Sequence, residues 1–135
     1  MLRLRVEKSQ SRSGKHAFRS FYFIMDSKCN KIEVTPKSTK AVKPSYIRGE
    51  AYEHEVLVPE GYFAIELRFV KCLRGRVKGE IIVYDFKGGI LCRAVYRKLK
   101  IRFLGCMDKS VVNVVTCIVS QLRIPVKRYA VIKIR

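Results

Sequence analysis

Apolar and polar residues alternate along most of this chain, and that period of two constrains the fold more than any other feature. Between residues 62 and 70 every second side chain is large and apolar: Phe63, Ile65, Leu67 and Phe69. Such alternation is typical of strands with one buried face. By the same pattern, or by β-branched and aromatic content, further strands are predicted at 2–6, 18–25, 32–34, 52–58, 80–84 and 126–134.

One segment follows a helical period instead. After Asp108, a plausible N-cap, apolar residues recur at Val111, Val115, Ile118 and Leu122. Pro125 follows the expected end of this helix. We therefore predict an α+β fold in which residues 1–135 form a single domain. Its mainly antiparallel, curved β-sheet would carry one helix, from the C-terminal half of the chain, packed on it.

The alternation breaks in three places. The pattern of Ile90–Leu104 changes phase, which predicts one long strand with a bulge near Arg97 or Lys98. The segment Pro36–Arg48 has two prolines and little periodicity, which predicts a long extended loop. A polar loop is predicted at Lys8–Lys15.

Charge points to the class of partner. The chain has 29 Lys and Arg against 11 Asp and Glu, a net charge of +18. A compact domain this basic repels itself unless a polyanion neutralises it, and the usual polyanion is a nucleic-acid backbone. We therefore expect residues 1–135 to form a single nucleic-acid-binding domain, with RNA in a ribonucleoprotein as its partner. The alternatives are a single-stranded DNA-binding protein, a genome-associated virion protein and, as a third class, a metal-dependent nuclease.

The first candidate contact is Lys98, Lys100 and Arg102. On one strand these side chains would share a face at intervals of about 6.6–6.8 Å. If Tyr96 stays in phase, it would add a surface on which unpaired bases stack. The alternative is a solvated strand face with Tyr96 in the core.

A second candidate contact is a glycine-containing basic connection. It holds Lys71, Arg74, Arg76 and Lys78 around Gly75 and Gly79. Backbone N–H groups in such turns can approach a phosphate while the side chains supply charge. An ordinary basic hairpin loop is the alternative.

A third candidate surface consists of two basic segments, 8–19 and 37–48. They contain Arg12, Lys15, Arg19, Lys37, Lys40 and Lys43, besides Lys8 and Arg48, with Phe18 and Tyr46 nearby. Lys127 and Arg128 extend the positive surface near the C-terminal end.

No catalytic group, metal or other cofactor is predicted. Glu80, Asp85 and Lys87 resemble the acidic–Lys element of metal-dependent nucleases, but Asp85 falls in a predicted Gly-Gly turn and would stabilise that turn. The five cysteines show no metal-binding spacing. We expect Cys92 and Cys117 to be core residues, although a disulfide stays possible.

The remaining expectations concern the setting of the protein. The N-terminal residues contain no apolar signal region and no run of 18 apolar residues occurs, so we expect a cytoplasmic protein. The four Asn and Gln residues are few, which suggests a thermophilic source. Residues 49–67 contain five Glu and no Lys or Arg. That acidic segment could meet a basic protein neighbour.

Overall fold

The computed structural model describes residues 1–10, 17–46, 48–71, 76–105 and 108–132. These residues form ten strands and one helix. The elements are β1 (Leu2–Gln10), β2 (Ala17–Asp26), β3 (Lys31–Ile32), β4 (Ser38–Val42), β5 (Arg48–Val56), β6 (Tyr62–Lys71), β7 (Val77–Tyr84), β8 (Ile90–Arg97), β9 (Lys100–Leu104), α1 (Lys109–Gln121) and β10 (Arg128–Ile132).

The strands belong to one sheet in the order β10-β9-β8-β7-β6-β2-β1-β5-β4, with β3 paired to β2 beside this path. Neighbouring strands are antiparallel except β9 and β10, which are parallel. Parallel neighbours need a long crossover connection, and α1 supplies it. The predicted α+β class, with a curved and mainly antiparallel sheet and one helix, is confirmed.

Helix α1 covers one face of the sheet, which we call the helix face. Asp108 caps the helix: its side chain accepts a hydrogen bond from the Ser110 N–H at 2.8 Å. The predicted stripe is buried at Val111, Val115 and Ile118, against sheet residues of the same core. Within the described residues, no helix combines the length and the apolar character that crossing a membrane requires.

The opposite face, which we call the open face, holds a second and smaller core. Leu2 and Leu4 of β1 pack there against Ile24 and Ala64. Strand β1 pairs with β2 only through residues 7–10, but it pairs with β5 from Leu2 to Gln10. The first half of β1 therefore leaves β2 and curls over the sheet together with β5.

A buried carboxylate ties this curled part to the chain between β4 and β5. Glu7 accepts hydrogen bonds from Arg5 and from the Ser45 N–H, and its side chain is fully buried. Arg5 also donates to the Lys43 carbonyl at 2.6 Å. These bonds satisfy a charge that would be costly to bury alone.

The predicted long strand at Ile90–Leu104 is wrong, because this segment is a hairpin. Strands β8 and β9 pair antiparallel across a two-residue turn at Lys98 and Leu99. The two turn residues have φ of 52° and 61°, the pattern of a type I′ turn. The turn, not a bulge, causes the change of phase in the sequence.

The predicted extended loop at Pro36–Arg48 is also wrong. It contains the edge strand β4, which pairs with β5 from Ser38 to Val42. Likewise, the loop predicted at Lys8–Lys15 begins later, since β1 continues to Gln10; residues 11–16 lie outside the described residues.

The two predicted core cysteines, Cys92 and Cys117, belong to the core and are also disulfide-bonded. Cys117 of α1 forms a disulfide with Cys29, which follows β2, and the two Cα atoms are 6.0 Å apart. Cys92 is buried in the core as predicted, and it too is disulfide-bonded. The cysteine spacing does not predict the Cys29–Cys117 bond, because only the fold brings these two distant segments together.

Candidate nucleic-acid interface

Four cations lie side by side across four adjacent strands on the open face. The Cα pairs are Lys78 with Arg97, Arg97 with Lys100, and Lys100 with Arg128. Directly paired residues point to the same face of a sheet, about 4.8 Å apart. We call these four residues the basic row. It extends over about 14 Å, three strand spacings.

The charges of the basic row act on one another. The nearby Arg128 guanidinium, together with partial burial and Arg102, lowers the pKa of Lys100 below its ordinary value of 10.5. Two carboxylates on the same face already have cationic partners: Glu66 lies 2.6 Å from Arg68, and Glu80 lies 3.6 Å from Arg93. The row thus concentrates positive charge where like charges face each other, an arrangement that an anionic partner would stabilise.

The first predicted contact is assembled differently from the expectation. Lys100 and Arg102 do alternate on β9 and share the open face, but Lys98 lies in the turn that precedes this strand. The three residues therefore do not form one strand face. Lys98 is exposed at the end of the hairpin, beside the basic row.

Tyr96 does not lie on the face of Lys100 and Arg102, where the predicted stacking surface would be. Tyr96 pairs with Ile101 on the helix face, and only 3% of its surface is exposed. Its hydroxyl donates a hydrogen bond to the Pro125 carbonyl at 2.7 Å. The hairpin reverses the phase that would have placed this ring beside Lys100, so the alternative, a core tyrosine, is correct.

The second predicted contact is divided between the hairpin β6–β7 and the basic row. Lys71 ends β6, Arg76 precedes β7, and both are exposed. Lys78 and Gly79 lie inside β7, not in a connecting turn. Arg74 and Gly75 lie outside the described residues.

The third predicted surface is split between distant strands. Arg12 and Lys15 lie outside the described residues. Arg19 belongs to β2, not to a loop, and its guanidinium lies 5.2 Å from the centre of the Phe21 ring on the helix face.

The basic residues of the 37–48 segment lie at the far edge of the sheet. Lys40 is on β4, where it is paired with Glu53 of β5, and Lys37 and Lys43 flank that strand. Since β4 and β10 are the two opposite edges, the fold does not bring these lysines to the basic row.

Of the two residues predicted near the C-terminal end, Arg128 belongs to the basic row and Lys127 lies next to it in sequence. Arg128 begins β10 next to Lys100, and the Lys127 N–H donates to the Leu99 carbonyl at 2.7 Å. Sequence reasoning missed Arg97, one of the two central residues of the row. Its position follows only from recognising a two-residue turn at 98–99, and that turn contains neither Gly nor Asn.

The acidic residues are not gathered on one face. Glu53 and Glu55 lie on β5 near the β4 edge, whereas Glu66 is buried in the middle of the sheet. Asp85 stabilises its turn as predicted, accepting from the Lys87 and Gly89 N–H groups at 2.9 and 2.8 Å. Among the described residues, no group of three or more His, Cys, Asp or Glu side chains could hold a metal ion.

The arrangement can bind anions in a line, since its four cations lie on neighbouring, hydrogen-bonded strands of one sheet. Comparison with known proteins adds nothing to this geometry: no family model, no curated protein and no solved structure matches the chain.

Proposed function

We propose that the protein binds the phosphate backbone of a nucleic acid along the basic row. The observation that supports this proposal is the uninterrupted line of Lys78, Arg97, Lys100 and Arg128 across four strands. Side chains of this kind position a protein on a backbone through phosphate contacts, which carry no sequence information by themselves. The net charge of +18 provides the long-range attraction.

Of the two polymers we propose RNA, and for the protein a structural role in a ribonucleoprotein. Two basic clusters in the sequence support this choice, one with Arg12 and Lys15 and one with Arg74 and Arg76, because basic segments attached to a globular domain can thread between RNA helices. Arg12, Lys15 and Arg74 lie outside the described residues. The segment 36–48 no longer supports it, since it forms an edge strand. Single-stranded DNA is the competing polymer, and comparing an RNA and a DNA oligonucleotide of one sequence distinguishes them.

The experiment measures how affinity depends on salt. Each neutralised phosphate contributes a slope of about −0.7 (single strand) to −0.9 (duplex) to log affinity against log salt. Replacing Arg97, Lys100 and Arg128 by Gln should reduce the magnitude of the slope by about 2–2.7, if each contacts one phosphate.

A matched control removes the same charge elsewhere. Replacing Lys37, Lys40 and Lys43 by Gln also lowers the net charge by three, but at the opposite edge of the sheet. We expect the slope of this variant to change little. Equal loss of slope in both triple variants would show that net charge, and not the basic row, governs binding, and it would overturn the proposal.

A further inference from the structure

A large cavity opens on the helix face, at the end of the sheet that carries the basic row. Its volume is about 980 Å³, the upper part of the range found for small-ligand sites. It lies between the β8–β9 turn and the residues that follow α1, so Leu99 forms one side and Leu122 another. Lys78 and Arg97 of the basic row also line it, so the cavity on the helix face and the row on the open face meet at this end of the sheet.

Aromatic rings form the inner wall of this cavity. Phe21, Phe69 and Tyr96 all line it, and Phe69 meets Tyr96 edge to face with ring centres 6.2 Å apart. Gly79 lies opposite Phe69 on the neighbouring strand. A Cβ atom on Gly79 would collide with the Phe69 ring, so the bare backbone at this position makes room for the aromatic wall.

Strained backbone is concentrated at the rim. Four non-glycine residues in the described part of the chain have positive φ, and three of them line this cavity: Lys98 (52°), Leu99 (61°) and Arg123 (54°). Such conformations cost energy and accumulate where a site must hold particular side chains in place. Here they hold two cations, Lys98 and Arg123, at the mouth of an aromatic cavity.

We propose that this cavity takes one unstacked base of a single-stranded nucleic acid whose phosphates follow the basic row. Every base has a flat π-face that stacks on aromatic side chains, and its own phosphate is an anion that cations at a cavity mouth would hold. The inference rests on the proposed function, because the row supplies the backbone contact. It adds that the strand is single and that a base, as well as the phosphates, is recognised.

The chain contains no tryptophan, so a single introduced indole reports on the cavity. Val77 lines the cavity and is 38% exposed, so Val77→Trp adds a ring without removing a core side chain. A 12-nucleotide single strand should quench its fluorescence strongly. The control is Ile90→Trp, at a residue 52% exposed near the other end of β8, about 20 Å from the cavity. Its fluorescence should not change.

A second measurement uses the wild-type protein and a 12-nucleotide strand that has no bases. Loss of the stacked base should weaken binding roughly 5- to 150-fold, the effect of losing one base–aromatic stack. Phe69→Leu, which keeps the wall apolar, should reduce this difference between the two strands.

The outcomes separate this inference from the proposed function. If no strand binds even at low salt, the proposed function fails and the inference with it. If both strands bind equally well and the Val77→Trp fluorescence does not change, the backbone contact stands and the base-binding cavity is refuted. If oleate quenches Val77→Trp and the oligonucleotide does not, the cavity holds an acyl chain, which also overturns the inference.

Discussion

Arg97 lies directly opposite Lys100 across the β8–β9 hairpin, so two cations face each other on the last pair before the turn. Like charges in this position destabilise a sheet. The pairing continues to Lys78 on one side and to Arg128 on the other. Repulsion within such a row lowers the stability of the isolated protein, and a bound anion would remove that repulsion.

We therefore expect Arg97→Gln to stabilise the isolated protein while weakening its binding to nucleic acid. Removing the charge relieves repulsion from two paired neighbours, worth about 0.2–1 kcal/mol at low salt. Urea unfolding should show this gain, and it should shrink in 1 M salt, where charges are screened within about 3 Å. The control is Lys40→Gln, because Lys40 faces Glu53 and its loss removes an attraction. If both variants were more stable than wild type, the lower net charge would explain the gain, and repulsion within the basic row would not be its cause.

The pKa of Lys100 reports the electrostatic repulsion between the cations of the basic row. Arg128 is the largest cause that lowers it below 10.5, so Arg128→Gln should return the pKa toward 10.5. Because the folded pKa is below the unfolded one, stability should rise with pH between the two values, as the charged form is lost. Titration of the Lys100 side chain by NMR measures the shift, with Arg102→Gln as the variant of smaller effect. A wild-type pKa at or above 10.5 would contradict the crowding of the row.

The sequence predicted the strands and the helix where one periodicity ran without interruption. Tyr62–Val70 and the stripe from Val111 to Leu122 are such cases, because burial of one face requires apolar residues at regular intervals in the sequence. The hairpin turn at Lys98 and Leu99 could not be predicted in this way, because turns of this type favour Asn-Gly and the pair Lys-Leu is not a turn motif.

Most of the candidate site could therefore not be predicted from the sequence. Lys100 and Arg128 are 28 positions apart in the chain, and only the parallel pairing of β9 with β10 makes them neighbours. The sequence pattern predicts Tyr96 beside the cations of β9 only if the turn at Lys98 and Leu99 is overlooked. A shift of one residue in the phase of a strand moves each side chain to the other face. The expected class of partner does not depend on register, because it was inferred from the net charge alone, and it stays a prediction.

The turn itself should be replaceable by a better one. Non-glycine residues with positive φ cost about 1 kcal/mol or more each, and Asn and Gly tolerate this conformation. The double variant Lys98→Asn/Leu99→Gly should therefore unfold at a higher urea concentration, with a gain of about 1 kcal/mol. It should also bind nucleic acid less well, since it removes Lys98 and one side of the cavity.

Two single variants separate these effects. Lys98→Asn tests loss of the cation, and Leu99→Gly keeps it. If the double variant were less stable than wild type, the positive φ values would not be a source of strain, and the functional reason for retaining them would disappear.

The disulfide between Cys29 and Cys117 should contribute a large part of the stability. It closes a loop across 88 positions, and bonds of this kind typically stabilise by about 2–4 kcal/mol. Cys29→Ala/Cys117→Ala should lower the thermal midpoint measured by calorimetry. The variant is preferable to a reducing agent, because Cys92 is also disulfide-bonded. Two hydrogen bonds, from Asn113 to Ser27 and from Gln121 to Cys29, should keep the helix in place, so the variant should still fold. An unchanged thermal midpoint would show that the disulfide adds no stability beyond these hydrogen bonds.

Glu7 should make stability depend on pH in the acid range. Burial by itself would raise the pKa of Glu7, but hydrogen bonds from Arg5 and from the Ser45 N–H outweigh it and hold the pKa below 4.5. The stability it provides is therefore complete above pH 4.5 and is lost as the pH falls through the lowered folded value. At pH 7, Glu7→Gln should cost about 1–3 kcal/mol, because Arg5 and Ser45 lose a charged partner.

The same variant makes the argument testable by its pH profile. A protonated Glu7 resembles glutamine, so the difference in unfolding free energy between wild type and Glu7→Gln should narrow as the pH is lowered below 4.5. Urea unfolding at a series of pH values measures it. Glu60→Gln, at an exposed turn, should change stability by less than about 0.5 kcal/mol throughout. A difference for Glu7→Gln that stayed constant down to low pH would show that shape, not charge, holds the segment after β4 against β1.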